Sequence, residues 1–206
     1  MDAVIRKLMI VPWIGALPDW IGEWCANTAA IEQSGHGWDF LLDVDERRIR
    51  ERIEALGVTC PALEGRKLCD YRPAFGEMYA GEIEGYDFWG HTDLDCVYGK
   101  LWDFVSDDLL ENCDVFSNDP YPQMCGPFTC YRNTESVNGL FRKYNGWREI
   151  FESPELHAFD ETGISAVIAR SRLRVRHEHF EGADSMYIHF TSDKSYPREL
   201  AEALLS

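Results

Sequence analysis

Positive charge is scarce in this chain. Its 206 residues hold 20 Lys and Arg against 36 Asp and Glu, a formal net charge of −16. A surface that negative repels a phosphate backbone, so no nucleic acid is expected as a partner. An anionic small molecule stays compatible wherever a divalent cation is held locally, because the bound metal reverses the potential of an acidic site. Long apolar runs are missing too. No stretch approaches ~18 consecutive apolar residues, so no membrane span is expected. The sequence has 7 cysteines, an odd number that cannot all pair within one chain, and it lacks CxxC or Cys/His spacing of the zinc type. That usage fits a reducing, cytoplasmic setting. Neither GxxxxGK[ST] nor GxGxxG occurs, so no glycine-rich phosphate loop is available. Repeats, low-complexity runs and Gly/Ser/Pro linkers are absent as well, which implies a single domain over residues 1–206. The apolar start, Met1 to Ile10, is interrupted by Pro12, Gly15 and Pro18 and has no small-residue cleavage site, so it reads as a first buried strand.

With 45% hydrophobic residues the composition is globular, and the elements alternate. Leu8 to Val11 is a short apolar strand stopped by Pro12. Asp19 is placed to cap a helix in which Trp20, Trp24, Thr28 and Ile31 recur at helical spacing until Gly35 and Gly37. Trp38 to Val44 reads as a second strand, and Asp45 caps a helix with Ile49, Ile53 and Leu56 on one face and Gly57 at its end. Pro73 to Glu84 reads as helical and Tyr86 to Thr92 as a strand. A short helix over Leu101 to Leu110, strands at Asp114–Ser117 and Phe128–Arg132, and a helix from Thr134 to Phe151 follow. A short helix through Val167 and Ile168, alternating Arg172 to Arg176, a strand from Met186 to Phe190 and a closing helix over Pro197 to Leu204 complete the reading. Such alternation implies an α/β fold: a Rossmann-type mixed, mainly parallel sheet flanked by helices.

The strongest chemical signal is Asp93-Leu94-Asp95. Carboxylates two apart at a strand end can both reach one hard cation, and ligands in doubly wound folds bind at carboxyl ends of strands. Spacing alone is weak evidence in an acidic chain, and Asp43-Val44-Asp45 repeats the pattern, although Asp45 already serves as a helix cap. Asp93 and Asp95 follow the densest aromatic and glycine segment. The alternating Arg170, Arg172, Arg174 and Arg176 share one strand face, best explained as a solvated edge.

Three motifs in order, Arg72-Pro73-Ala74-Phe75-Gly76, Gly85-Tyr86-Asp87-Phe88-Trp89-Gly90 and Asp93-Leu94-Asp95-Cys96-Val97-Tyr98-Gly99, resemble a family of bacterial and viral GT-A-type glycosyltransferases. More widely they resemble the retaining galactosyl and glucosyl transferases that bind manganese through a DxD motif. The resemblance implies a nucleotide-sugar-binding domain. It would transfer a hexose from a nucleotide-sugar donor, a UDP-sugar above all, to a glycan or small-molecule acceptor. The implied cofactor is Mn2+ or Mg2+ on Asp93 and Asp95. His189 of His189-Phe190-Thr191-Ser192-Asp193-Lys194 stands where that superfamily carries a late His-Phe-x-Gly-x-x-Lys-Pro motif, with Ser192 and Ser195 replacing its glycine and proline. His189 is therefore the implied third metal ligand, with His179 of His179-Phe180-Glu181-Gly182 as its rival. Arg72 stands where an arginine precedes the DxD strand, and with Pro12, Trp13, Asp93 and Lys194 it forms the implied donor-binding set. Trp13 equally suits plain core packing. Asp160-Glu161 resembles the pair that contacts the transferred sugar or takes the acceptor proton, while helix capping by Asp160 is the competing account. Two other classes use or retain such residues: a divalent-metal-dependent nucleotidyltransferase or phosphohydrolase, and an inactive GT-A-like binding module.

Overall fold

The computed structural model describes residues 4–118, 123–124 and 126–179, and the backbone of 187–189. The first apolar run forms β1 (Lys7–Pro12). Helix α1 (Ile21–Gln33) returns the chain, burying Trp24, Thr28 and Ile31 as their spacing requires. Its N-cap is Trp20 and no side chain caps it, so Asp19, exposed one residue earlier, does not play the expected part. Strand β2 (Trp38–Asp43) pairs parallel with β1. The Asp45 carboxylate then caps α2 (Glu46–Ala55), accepting from Arg48 N at 3.2 Å.

The expected helix over Pro73–Glu84 is instead a 3-10 helix, Gly65–Ala74, leading into one turn of α3 (Phe75–Met78). Pro73 lies inside the 3-10 segment, where it withholds an N–H that a continuing α-helix would use. Strand β3 (Phe88–Thr92) pairs parallel with the other side of β1. Beyond it come β4 (Cys96–Tyr98), α4 (Leu101–Phe104) and α5 (Asp107–Glu111). The expected Leu101–Leu110 helix is split because Ser106 begins a new one, its hydroxyl accepting from Leu109 N at 3.3 Å. Strands β5 (Val115–Ser117) and β6 (Phe128–Arg132) follow. The helix expected over Thr134–Phe151 is three pieces: α6 (Glu135–Asn138), a 3-10 turn at Leu140–Lys143, and α7 (Trp147–Glu152). Gly139 and Gly146 mark the breaks, Gly146 with φ +97°. A π-helical turn, Phe159–Gly163, runs into α8 (Ile164–Ile168). Last come β7 (Val175–His177) and β8 (Tyr187–His189).

The main sheet has six strands in the order β2-β1-β3-β6-β5-β7. All run the same way except β6, which is antiparallel to both its neighbours. This is a mixed, mainly parallel sheet with a core on each face. Alternation along β1 sends Leu8 and Ile10 to the side covered by α2, α3 and α6–α8, and Met9 and Val11 to the side of α1, α4 and α5. Gly90 lies at the centre, where a Cβ would come within 2.6 Å of Thr129 O and 2.8 Å of the Met9 sulfur, so only glycine fits. At the edge, Arg174 just before β7 and Arg176 within it are exposed. Arg174 is paired with Asp114 at 2.8 Å. Strand β4 pairs antiparallel with β8 in a separate two-stranded sheet. No helix among the described residues is long and apolar enough to cross a membrane. The expected closing helix over Pro197–Leu204 lies outside the described residues.

Candidate active site

The parallel register Ile10↔His91 puts the Pro12 end of β1 and the Asp93 end of β3 on one edge of the sheet, the carboxyl edge where ligands of such folds bind. Past Thr92 the chain turns sharply: Asp93 N donates to Pro127 O at 3.2 Å and Cys96 N to Asp93 O at 3.3 Å. Leu94 plunges into the core, 4% exposed, while Asp93 and Asp95 stay partly exposed on either side of it. The apolar residue between the two carboxylates thus pins the turn that presents them.

Arg72 reaches this edge from the 3-10 helix. Its guanidinium donates to Gly126 O at 2.7 Å and Asp160 Oδ2 at 2.9 Å, and pairs with Asp93 Oδ1 in close contact. Burial alone would lower its pKa, but the Asp93 and Asp160 carboxylates outweigh that effect and hold it above the ordinary value. Asp160, on the π-helical turn, is 2% exposed. Burial raises its pKa from 3.8 to about 6, with Arg72 opposing the rise. A carboxyl whose pKa lies near neutrality is what acid–base work needs. Beside it, Gly126 leaves room for Glu161: a Cβ there would sit 2.5 Å from Glu161 Oε1.

The backbone before Asp160 is clamped from the same 3-10 helix. Asp70 accepts from His157 N at 3.0 Å and Phe159 N at 2.9 Å. Lys67, 2.9 Å from Asp70, donates to Ile150 O at 2.7 Å and Glu155 O at 3.0 Å. Both side chains are essentially inaccessible to solvent. The clamp holds Ala158 at φ +50°, a left-handed conformation that costs an alanine on the order of 1–2 kcal/mol. Behind Arg72, His91 is fully buried, and among the described residues neither ring nitrogen meets a partner at full hydrogen-bond geometry, the Gly126 backbone being its polar neighbour. Burial and the neighbouring Arg72 charge keep its pKa well below 6.5, so the ring is neutral. The Cys69 thiol is pushed up to about 12 by burial, which leaves it protonated and unreactive.

Asp93, Arg72, Asp160 and Glu161 are therefore brought to one place, with Asp95 on the same turn. Pro12 ends its strand opposite Asp43. Trp13 donates its backbone N–H to Asp43 O at 2.8 Å and its indole N–H to Ala16 O at 3.0 Å, and it is partly buried against the core. The second acidic pair is structural: Asp43 is buried and accepts from Tyr79 OH at 3.1 Å, while Asp45 caps α2. Backbone pairing sets His189 opposite Cys96, the residue after Asp95. His179 is exposed just beyond β7. Lys194 lies outside the described residues. Lys67, Asp70, His91 and Gly126 are parts of the site that sequence reasoning missed.

No group of three or more His, Cys, Asp and Glu is gathered for a metal among the described residues. Two neighbouring carboxylates nonetheless suit magnesium or manganese, whose sites use one or two protein carboxylates and fill the remaining positions with water and substrate phosphate. Asp93 and Asp95 are therefore the residues that could hold such a cation, with the rest of its shell supplied from outside the protein.

The chain belongs to the family of unknown function DUF6625, matched over residues 9–202. No curated protein matches it in sequence. Among solved structures it is similar to a glycosyltransferase involved in the glycosylation of the major capsid of PBCV-1, with 14% identity, a TM-score of 0.57, and 97% of this chain and 98% of that one covered. The A197 protein from STIV is a more distant likeness, with 13% identity, a TM-score of 0.44, and 93% and 97% covered. The first likeness is one of fold: a mixed α/β sheet flanked by helices, as in a glycosyltransferase.

Proposed function

We propose that this chain is a divalent-metal-dependent glycosyltransferase of GT-A type that takes a hexose from a nucleotide-sugar donor, a UDP-sugar in the simplest case, to a glycan or small-molecule acceptor. The observation that carries the reading is Arg72. It joins Asp93 of the strand-end DxD to Asp160 of the π-helical turn, which supports assigning the cation and the reacting sugar to one connected site. The viral glycosyltransferase fold supports it.

When bound, the cation supplies charge neutralisation for the departing nucleoside diphosphate. Asp93 and Asp95 would hold it, and the β4–β8 register that sets His189 beside this turn favours His189 over His179 as a further ligand. Arg72 brings a fixed positive charge to the donor side of the site, and Lys194 would add a second. Pro12 and Trp13 end the strand next to the DxD strand, where a nucleotide base would rest. Asp160 and Glu161 face the sugar. Asp160, half protonated near pH 6, can exchange a proton with a hydroxyl group.

A thermal-shift screen of nucleotide sugars with and without manganese tests the reading, since a ligand that binds the native state raises the midpoint by mass action. One UDP-sugar should raise the midpoint only with manganese present. The Asp95→Ala variant should melt normally yet lose that rise, and His189→Gln should weaken it while His179→Gln leaves it intact. A manganese-dependent rise with nucleoside triphosphates, and with no nucleotide sugar, would favour the nucleotidyltransferase reading. No response to any nucleotide would favour an inactive binding module.

A further inference from the structure

Resting on the metal-dependent reading above, we propose that Arg72 is an internal counter-ion for Asp93, so that a divalent cation and a nucleoside diphosphate enter this site cooperatively rather than independently. The Arg72 guanidinium is in contact with one Asp93 oxygen and is not free to swing aside. Asp160 at 2.9 Å and the Gly126 carbonyl at 2.7 Å hold its other face, and its side chain is only 12% exposed. A cation approaching Asp93 alone therefore meets a fixed positive charge at close range. A divalent and a univalent charge sharing one carboxylate, even at the dielectric of water, repel enough to weaken binding on the order of tenfold where Asp160 carries no offsetting charge. A diphosphate brings negative charge that satisfies both cations together, so each ligand raises the other's affinity by the same factor.

The test measures manganese affinity by titration calorimetry, with and without uridine diphosphate. Because Arg72→Met alone would strand the buried Asp160 carboxylate, it is made in an Asp160→Asn background and compared with Asp160→Asn. Circular dichroism confirms that both fold. Removing Arg72 should tighten the binding of manganese alone on the order of tenfold, and should shrink the gain that uridine diphosphate confers. Wild-type protein, free of any folding concern, should itself bind manganese at least several-fold tighter with uridine diphosphate than without. Equal manganese affinity in the two variants, or an equal gain from the diphosphate in both, overturns the counter-ion role while leaving a metal site. Failure of wild type to bind manganese even with uridine diphosphate overturns the metal reading itself, and this inference with it.

Discussion

Asp160 offers a prediction whose size follows from the structure. Its carboxyl is 2% exposed, and burial raises its pKa from 3.8 to about 6 against the pull of Arg72. In the unfolded chain the group ionises near 3.8, but in the native protein it does so only near 6. Between those values the native state holds a proton that the unfolded state has released, so this group's contribution to stability falls as pH rises through the window. Above pH 6 the full cost is present, and it corresponds to about 3 kcal/mol for that pKa difference. Asparagine mimics the protonated carboxyl at nearly constant volume. In metal-free protein, Asp160→Asn should match wild type near pH 4, gain on it between pH 4 and 6, and keep a plateau advantage of about 3 kcal/mol at pH 7.5. For a chain of this size that is roughly 6–12 °C in Tm. Urea unfolding at half-unit pH steps in EDTA reads the difference directly. An Asp160→Asn protein less stable than wild type at pH 7.5 would refute the reasoning, because the Arg72 ion pair would then outweigh burial. A gain that did not vary with pH would refute it too.

Two further substitutions separate the scaffold from the site. Asp70→Asn leaves Lys67 buried without its counter-ion and weakens the bonds to His157 N and Phe159 N, so urea unfolding should show a loss of about 3–5 kcal/mol. A loss under ~1 kcal/mol would mean that water or another acceptor replaces the carboxylate. Gly126→Ala places a methyl group 2.5 Å from Glu161 Oε1 and 3.4 Å from Arg72 Nη1. The Glu161 end can rotate away, so stability should change by no more than ~1 kcal/mol while manganese-dependent donor binding or turnover falls clearly. Unchanged donor binding and turnover would show that Glu161 has no part in the site.

The strands and the acidic turn were legible because their signal is local. Leu94 between Asp93 and Asp95, after the apolar Phe88-Trp89, is enough to mark a strand end with an anchored residue inside and two carboxylates outside. Helices were less legible where glycine interrupts a continuing apolar pattern. Leu140, Phe141, Trp147 and Phe151 all enter one core, as a single helix would arrange, yet Gly139 and Gly146 break the backbone between them. The clamp was invisible for another reason. Lys67 and Asp70 look like any exposed i, i+3 ion pair, and only residues more than 80 positions later bury them. Arg72 was placed by motif resemblance, but its partners lie 21 and 88 positions away, a distance that periodicity does not span.

The geometry of the 3-10 helix explains how one short segment serves both scaffold and site. With three residues per turn, side chains at i and i+3 eclipse, so Lys67 and Asp70 point together toward the 150–159 backbone while Cys69 and Arg72 share another side. The field of Arg72, Asp160 and Asp93 on Cys69 is what that second alignment requires. A buried ion pair adds little net stability over apolar residues of the same volume, so Lys67 and Asp70 contribute position rather than energy. They set the register of the chain that carries Asp160, and Arg72, two residues after Asp70, meets that carboxylate at 2.9 Å. Replacing the pair with well-packed apolar side chains would therefore preserve the core and loosen the site, which distinguishes a scaffold that stabilises Asp160 from one that aims it.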